Sequence, residues 1–503
     1  MIFAVGKPTY DSDVIIAGAG PAGAAAAVHL MRLGASVILL DRMIFPRDKV
    51  CGDFVGPSAL IELDTLGVSR MDGFARTNIG RRGAIYVAGE ELISRSFPAV
   101  EGLPPYGRVI PRFVLDKYIL DAARKAGVRV MEGCQLTGCV VKSDAAFVEV
   151  NGSNGRFVLR GRLLIGADGG SSRVARLMRG SAPPRSDRFI AARAYFTGIA
   201  PSEEQLDLYF DASCLPGYYW LFPTGSGAAN VGLGIALETL PAHNLTPAAL
   251  LRRLIRDDQA LSARLRNARQ KGRIAGWPLI TYNHRLPIVF DRVMLIGDAA
   301  GLINPLNGEG IQYALQSARW AAEVLAPCLR DNDYSAQALA PFAGRVEREL
   351  RYDMALARLI VQMIGNRALS PVWIELFKIL AACARKDGNF ADTLGGIFAG
   401  LLPARDVLKL IGSTIDQTAR TLTGKAVNIA FSGPCEWANL GVGTAQAGFQ
   451  LARYAVKDPA SIAKWLQSAA ASTIEFGSQV SRNAIASRPE QLLFSAQKLI
   501  RSR

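Results

Sequence analysis

Apolar and polar positions change their period several times along the chain. An apolar run at 14–17 leads into a glycine-rich turn, an alanine-rich stretch to about Leu33, and a second apolar run at 36–40. Short apolar runs read as buried strands and the longer stretch as a helix, so the chain opens with strand, turn, helix and strand. The same pattern of an apolar run ending in glycine returns in RLLIGADGG, 162–170, and at 293–297, after which a long helical pattern opens near Gly308. RFVLDKYILDAARK, 112–125, has apolar residues at helical spacing and predicts an amphipathic helix that starts with Arg112 and Asp116. Residues 212–237 carry no charged side chain and, broken by Gly and Pro, predict a pair of strands. From 331 onward the spacing turns helical, as in RVERELRYDMALARLIVQMI.

With 503 residues, half of them apolar, the chain can bury one large core or two smaller ones. The formal charge of +15 suits an anionic cofactor, an anionic membrane surface or nucleic acid. Lacking a lysine-rich run or an aromatic-basic ladder, the chain is not expected to bind nucleic acid. Seven cysteines at irregular spacing include no CxxC pair and no Cys/His cluster of metal-ligand spacing, so no metal is expected and a reducing cytoplasm is the natural compartment. His29, His243 and His284 form no recognisable cluster. Neither a signal peptide nor a transmembrane helix is expected. A short basic amphipathic helix at the end, SRPEQLLFSAQKLIRSR, would suit peripheral contact with an anionic bilayer, or would dock on the protein with its basic face in solvent.

In DSDVIIAGAGPAGAAAAVHLMRLGASVILLDR, Gly18 makes the turn, Gly20 lets a pyrophosphate approach the backbone, Gly23 lets helix pack on strand, and Asp41 ends the second strand. Strand, glycine turn, helix, strand and acid in this order form the Rossmann dinucleotide fingerprint. The helix N-terminus meets the phosphate charge, and Asp41 can accept from ribose hydroxyls.

The order and spacing of RLLIGADGGSSRVAR and DRVMLIGDAAGLINPLNGEGIQYAL resemble the FAD-binding segments of the para-hydroxybenzoate hydroxylase superfamily. The resemblance implies that Asp298 binds the ribityl chain and that the helix start at Gly308, Gly310 and Ile311 faces the flavin ring. It also implies that Arg112 reaches the flavin or its phosphates, and it adds Ala22, Arg42 and Leu136 to the cofactor-binding residues. Within the superfamily, FPRDKVCGD, 45–53, and GYYWLFPTGSGAANVGLGI, 217–235, are most similar to the geranylgeranyl reductase branch, over roughly residues 12–405. The matching residues are Cys51, Gly52, Tyr218 or Tyr219, Trp220, Phe222, Pro223, Asn230, Gly232 and Gly234, while Asp53 stands where a second glycine is usual. Cys51 and Gly52 are expected against the flavin, with Cys51, Tyr219 and Trp220 as catalytic candidates. The bland readings are a compact packing thiol and one face of a core strand.

The expected fold is α/β: a Rossmann-type FAD-binding domain with a mixed or antiparallel substrate-domain sheet and a helical C-terminal region. The FAD domain would comprise 12–75, 108–180 and 275–330, the substrate domain 76–107 and 181–274, and the helical region 331–503. The expected activity is FAD-dependent reduction of carbon–carbon double bonds in a hydrophobic, isoprenoid-type small molecule. LGVGTAQAG, 440–448, lacks the third glycine of a second fingerprint, so NAD(P)H or a ferredoxin-like protein would dock transiently as electron donor. The alternatives are monooxygenation of an aromatic or polyketide-like molecule and a flavin-holding scaffold without turnover. Halogenation is set aside, because it needs a lysine beside the pocket and 51–116 contain none.

Overall fold

The structure is a computed structural model that describes residues 10–200, 202–240, 245–398 and 459–486. Its first sheet is ordered Val289–Phe290, Val293–Leu295, Gly155–Gly166, Ser12–Ala17, Val37–Leu40, Arg129–Met131. Ser12–Ala17 pairs in parallel with both Gly155–Gly166 and Val37–Leu40, so the central strands are buried on both faces and read as unbroken apolar runs. The first half of Gly155–Gly166 also carries an antiparallel arm, Ala146–Gly152 and Gln135–Val141. Helix Pro21–Arg32 lies on this sheet. Its residues Ala24, Ala25, Ala26 and Ala27 are fully buried, small enough to bring the long helix Ile311–Asp331 close on the other side.

The second sheet has seven strands in the order Arg269–Ile280, Arg188–Thr197, Ala228–Ala236, Tyr218–Gly225, Gln205–Phe210, Arg82–Val87, Glu90–Ser96. All neighbours are antiparallel except Gln205–Phe210 and Arg82–Val87. The uncharged stretch folds as the expected strand pair, Tyr218–Gly225 and Ala228–Ala236. One face of this sheet is covered by helix Pro247–Asp257, whose Leu250, Leu251 and Leu254 join a separate core. Arg269–Ile280 stays in this sheet to its end, so a division of the chain at 275 would cut through a strand. A small three-stranded sheet, Phe54–Val55, Gly107–Val109 and Asn78–Gly80, has its own ladder and packs against strand Tyr218–Gly225, where Asn78 Nδ2 donates to the Pro223 carbonyl at 2.7 Å.

Beyond the second sheet come the helices Ala336–Ile364, Ser370–Lys386, Gly388–Phe398 and Pro459–Ala486. They are more than an appendage. Ile374, Phe377 and Ala381 pack on Val87, Leu92 and Phe210 of the second sheet, and Trp465 Nε1 donates to the Gln362 carbonyl at 3.0 Å. The glycine stretch at 440–448 and the terminal basic segment lie outside the described residues. Among the described residues no helix is long and apolar enough to cross a membrane, and no group of His, Cys, Asp or Glu could hold a metal ion.

Candidate functional site

Packing dictates two glycines of the first turn. Gly18 has φ +103°, and a Cβ there would lie 2.3 Å from the Ala167 oxygen; a Cβ on Gly23 would lie 1.8 Å from the Gly18 oxygen. Gly20 differs, since its Cβ would meet only Arg47 Nη2, at 3.6 Å. The turn is therefore closed toward the sheet and open toward a cleft. Helix Pro21–Arg32 starts there with proline in its first turn and no side-chain cap, which leaves its first N–H groups available to an anion. Asp41 is fixed beside the turn by the N–H groups of Ala19 and Met43, each donating at 2.8 Å.

The loop of residues 45–53 crosses this cleft. Arg47 binds Asp116 at 2.7 Å and Lys49 binds Asp298 at 2.9 Å, pinning the loop to both other cofactor segments. Arg112 is buried and grips Asp116 with two bonds, of 2.7 and 2.8 Å, beside the Cys51 thiol. Burial alone would raise the Asp116 carboxyl, but Arg112 and Arg47 outweigh it and hold it below the usual carboxylate range. The Arg112 side chain is thus buried among these charges, not laid on a solvated helix face.

Asp53 is wholly buried with φ +65°, the left-handed conformation that a glycine adopts freely. Its Oδ2 accepts from Tyr195 Oη and Asn230 Nδ2, both at 2.7 Å. Asn230 Nδ2 also donates to the Cys51 carbonyl at 2.7 Å, and Trp220 Nε1 donates to Asn230 Oδ1 at 3.0 Å. One buried carboxylate thus ties the Cys51–Gly52 backbone to the wall that carries Trp220. Burial pushes the Asp53 carboxyl up to about 6, even though the Tyr195 and Asn230 hydrogen bonds work the other way. Gly52 is squeezed against this wall, where a Cβ would lie 3.2 Å from the Phe222 ring.

On the far side of the cleft, Asp298 lies in the single turn Gly297–Ala300, and the loop 304–310 delivers the chain to the start of helix Ile311–Asp331. Glu309 lies in this loop. Burial raises its carboxyl to about 8, and its Oε2 has no hydrogen-bond partner.

These segments line one cavity of about 850 Å³. It collects Gly18, Gly20, Ala22, Asp41, Arg42, Cys51, Gly52, Arg112, Leu136, Asp298, Gly308, Gly310 and Ile311 at one end, and runs on beneath the second sheet past Trp220. Gly23 is absent from the lining because it packs helix on turn. Tyr219 requires a correction. Side chains alternate along Tyr218–Gly225, so Tyr218, Trp220 and Phe222 face the cavity while Tyr219 points to the other side. There it stacks on Tyr209 at 5.2 Å and donates to Asp258 in the core under helix Pro247–Asp257. The period-two alternation that places Trp220 in the cavity was the signal for Tyr218. Lys49, Glu309 and, from the C-terminal helices, Phe377 and Leu380 also line the cavity without having been singled out in the sequence.

A dinucleotide-type cradle opening into an apolar chamber defines a flavin-dependent oxidoreductase, and FAD is its cofactor: the family described as FAD binding domain matches residues 11–199. The family described as geranylgeranyl reductase catalytic domain matches residues 187–268. The menaquinone reductase of Mycobacterium tuberculosis is 34% identical over 327 residues, 62% of this chain and 76% of that protein. Digeranylgeranylglycerophospholipid reductase 2 of Methanopyrus kandleri is 30% identical over 362 residues, 70% of this chain and 87% of that protein. The chain belongs to the geranylgeranyl reductase-like family of FAD-dependent oxidoreductases. In fold it is similar to a geranylgeranyl bacteriochlorophyll reductase-like protein from Thermoplasma acidophilum, with a TM-score of 0.60 at 21% identity over 80% of this chain and 98% of that one. A flavin-dependent brominase shares the fold at a TM-score of 0.65 and 17% identity, over 81% and 99% of the two chains.

The residues present fit FAD. The open side of Gly20 leaves room for a pyrophosphate at an uncapped helix start, and Arg47 stands over it.

Proposed function

We propose that this protein reduces carbon–carbon double bonds in a hydrophobic, isoprenoid-type substrate. The observation that carries the reading is the continuity of the cofactor cradle with a chamber walled by Leu208, Phe210, Trp220, Phe222, Trp277 and Phe377. Such a wall binds a polyprenyl chain by apolar burial, at about 25 cal/mol per Å². The names of the relatives, reductases of menaquinone and of digeranylgeranylglycerophospholipid, support the same substrate class.

In this reading Gly18, Gly20 and Ala22 hold the pyrophosphate at the helix start, and Asp41 and Arg42 take the adenosine ribose. Leu136 and Arg112 flank the cofactor, Asp298 takes the ribityl chain, and Gly308, Gly310 and Ile311 present backbone N–H groups to the ring. FAD, when bound, supplies hydride chemistry. The chain's own work is to hold an alkene beside Cys51, Gly52 and Trp220, to exclude water with the aromatic wall, and to supply a proton. Electrons come from NAD(P)H or a ferredoxin-like protein that docks transiently, and the basic stretch SRPEQLLFSAQKLIRSR would bring the enzyme to a bilayer.

The test is anaerobic. Protein reduced with dithionite is mixed with a short-chain menaquinone or with digeranylgeranylglycerophospholipid in micelles. The expected result is the return of the oxidised flavin absorbance with a product that stays heavier by two hydrogens after any quinone ring has been reoxidised by air. Product formation only after oxygen is admitted would make the protein a monooxygenase instead.

A further inference from the structure

Saturating an alkene takes a proton as well as a hydride, so the cavity must hold an acid that is still protonated when substrate arrives. Most carboxyl groups on its lining are already spoken for. Asp41 accepts two backbone N–H groups, Asp48 binds Arg193, and Asp53 binds Tyr195 and Asn230. Asp168 accepts from Ser172, Arg173 and Val174, Asp298 pairs with Lys49, and Asp392 with Arg95. Asp53 also leaves one buried oxygen, Oδ1, without a partner, but its Oδ2 is held by two donors, whereas among the described residues Glu309 enters no ion pair through its carboxyl. Its backbone is held at both ends, N–H to Asn307 Oδ1 and carbonyl to the Asn304 N–H, each at 3.0 Å, yet its buried Oε2 has no partner. A carboxylate left so would forfeit its hydration without compensation, so the neutral form is favoured.

We propose that Glu309 is the catalytic acid of the cavity, giving its carboxyl proton to one carbon of the substrate double bond. The proposal rests on the alkene-reductase reading above. The alkene π pair forms a C–H bond with the Glu309 proton, as the O–H bond breaks and its electrons stay on the carboxylate. The hydride pair that completes the other carbon comes from reduced FAD, which is oxidised, and water then reprotonates Glu309. The surroundings suit both states. Tyr218 from the second sheet and Tyr313 from helix Ile311–Asp331 face the carboxyl, and burial holds both hydroxyls above their ordinary value, so neither brings a charge. The N-terminus of that helix, two residues on, stabilises the carboxylate once the proton has left. Cys51 is the poorer donor: its Sγ already accepts the Asp53 N–H at 3.4 Å beside the Arg112 guanidinium, a setting that uses sulfur as an acceptor.

Burial places the Glu309 ionisation near pH 8, so wild-type turnover falls as pH rises through about 8. Glu309→Gln should lower anaerobic turnover of the short-chain menaquinone or the digeranylgeranyl lipid by roughly a hundredfold or more at neutral pH. The alkaline fall should vanish with it, while FAD stays bound by absorbance. An independent readout needs no turnover: the infrared carbonyl band of a protonated carboxyl, present in wild type at neutral pH and titrating near pH 8, should be missing in Glu309→Gln. A variant as fast as wild type, or one that leaves the infrared band unchanged, overturns the acid while leaving the reductase reading intact. A wild type that reduces neither lipid overturns that reading, and this role of Glu309 with it.

Discussion

Asp53 holds a conformation at φ +65° that glycine would take without strain, and turns the position into a buried hydrogen-bond hub. Its carboxyl is raised to about 6 in the folded protein, above its ordinary value near 4. Stability gained from its protonation is therefore complete below about pH 4 and lost as pH rises through about 6. Asp53→Asn, neutral throughout, should gain on wild type by roughly 1–3 kcal/mol between acidic and mildly alkaline buffer, read from urea midpoints. A gap that does not change with pH would show that Asp53 does not titrate there. Tyr219→Phe should cost about 1 kcal/mol through the lost bond to Asp258 and leave flavin absorbance and turnover as in wild type. Altered turnover would put Tyr219 back at the site. The turn glycines were legible because their spacing within strand, turn and helix is itself the signal, whereas Asp298 was singled out only through the family resemblance. Asp53 was legible only as a departure, since its partners Tyr195 and Asn230 lie more than a hundred residues away.

Close packing of helix Pro21–Arg32 on the turn at Gly18 leaves no room at Gly23. Gly23→Ala should destabilise the protein by about 3 kcal/mol or more, and a thermal scan with excess FAD checks it; wild-type stability would mean the turn can open. Helix Ser370–Lys386 does a different job, setting Phe377 and Leu380 into the chamber wall. Phe377→Ala should cost about 2 kcal/mol and raise KM for a short prenyl chain more than it lowers kcat, since it removes wall and not chemistry. A fall in kcat alone would contradict that placement. Helical spacing foretold such elements but not what they touch. Strand Arg269–Ile280 went the same way: its turn signals are local, whereas its membership of the second sheet comes from pairing with Arg188–Thr197.

At the scale of the molecule, the cradle is drawn from residues as far apart as Gly18 and Ile311, and the Lys49–Asp298 pair joins two of its segments. A ligand seated across them stabilises by mass action, about 2.7 kcal/mol at a hundredfold excess over Kd. Stripping FAD should therefore lower Tm by several degrees, restored by adding it back; an unchanged Tm would mean the segments cohere without it. The α/β class and the order of cofactor segments were readable from the first forty residues and two later glycine turns. The union of the two sheets in one cavity was expected only through the family resemblance, because periods and turns do not record which faces meet.

The two ends of that cavity answer to different parts of the chain. The cradle belongs to the parallel sheet, while one flank of the oily end comes from helices attached after both sheets are complete. Natural variation can therefore redraw the length and girth of the molecule that end accepts, by exchanging residues on those late helices, without disturbing the redox centre. Fit and chemistry can evolve on separate schedules within one polypeptide.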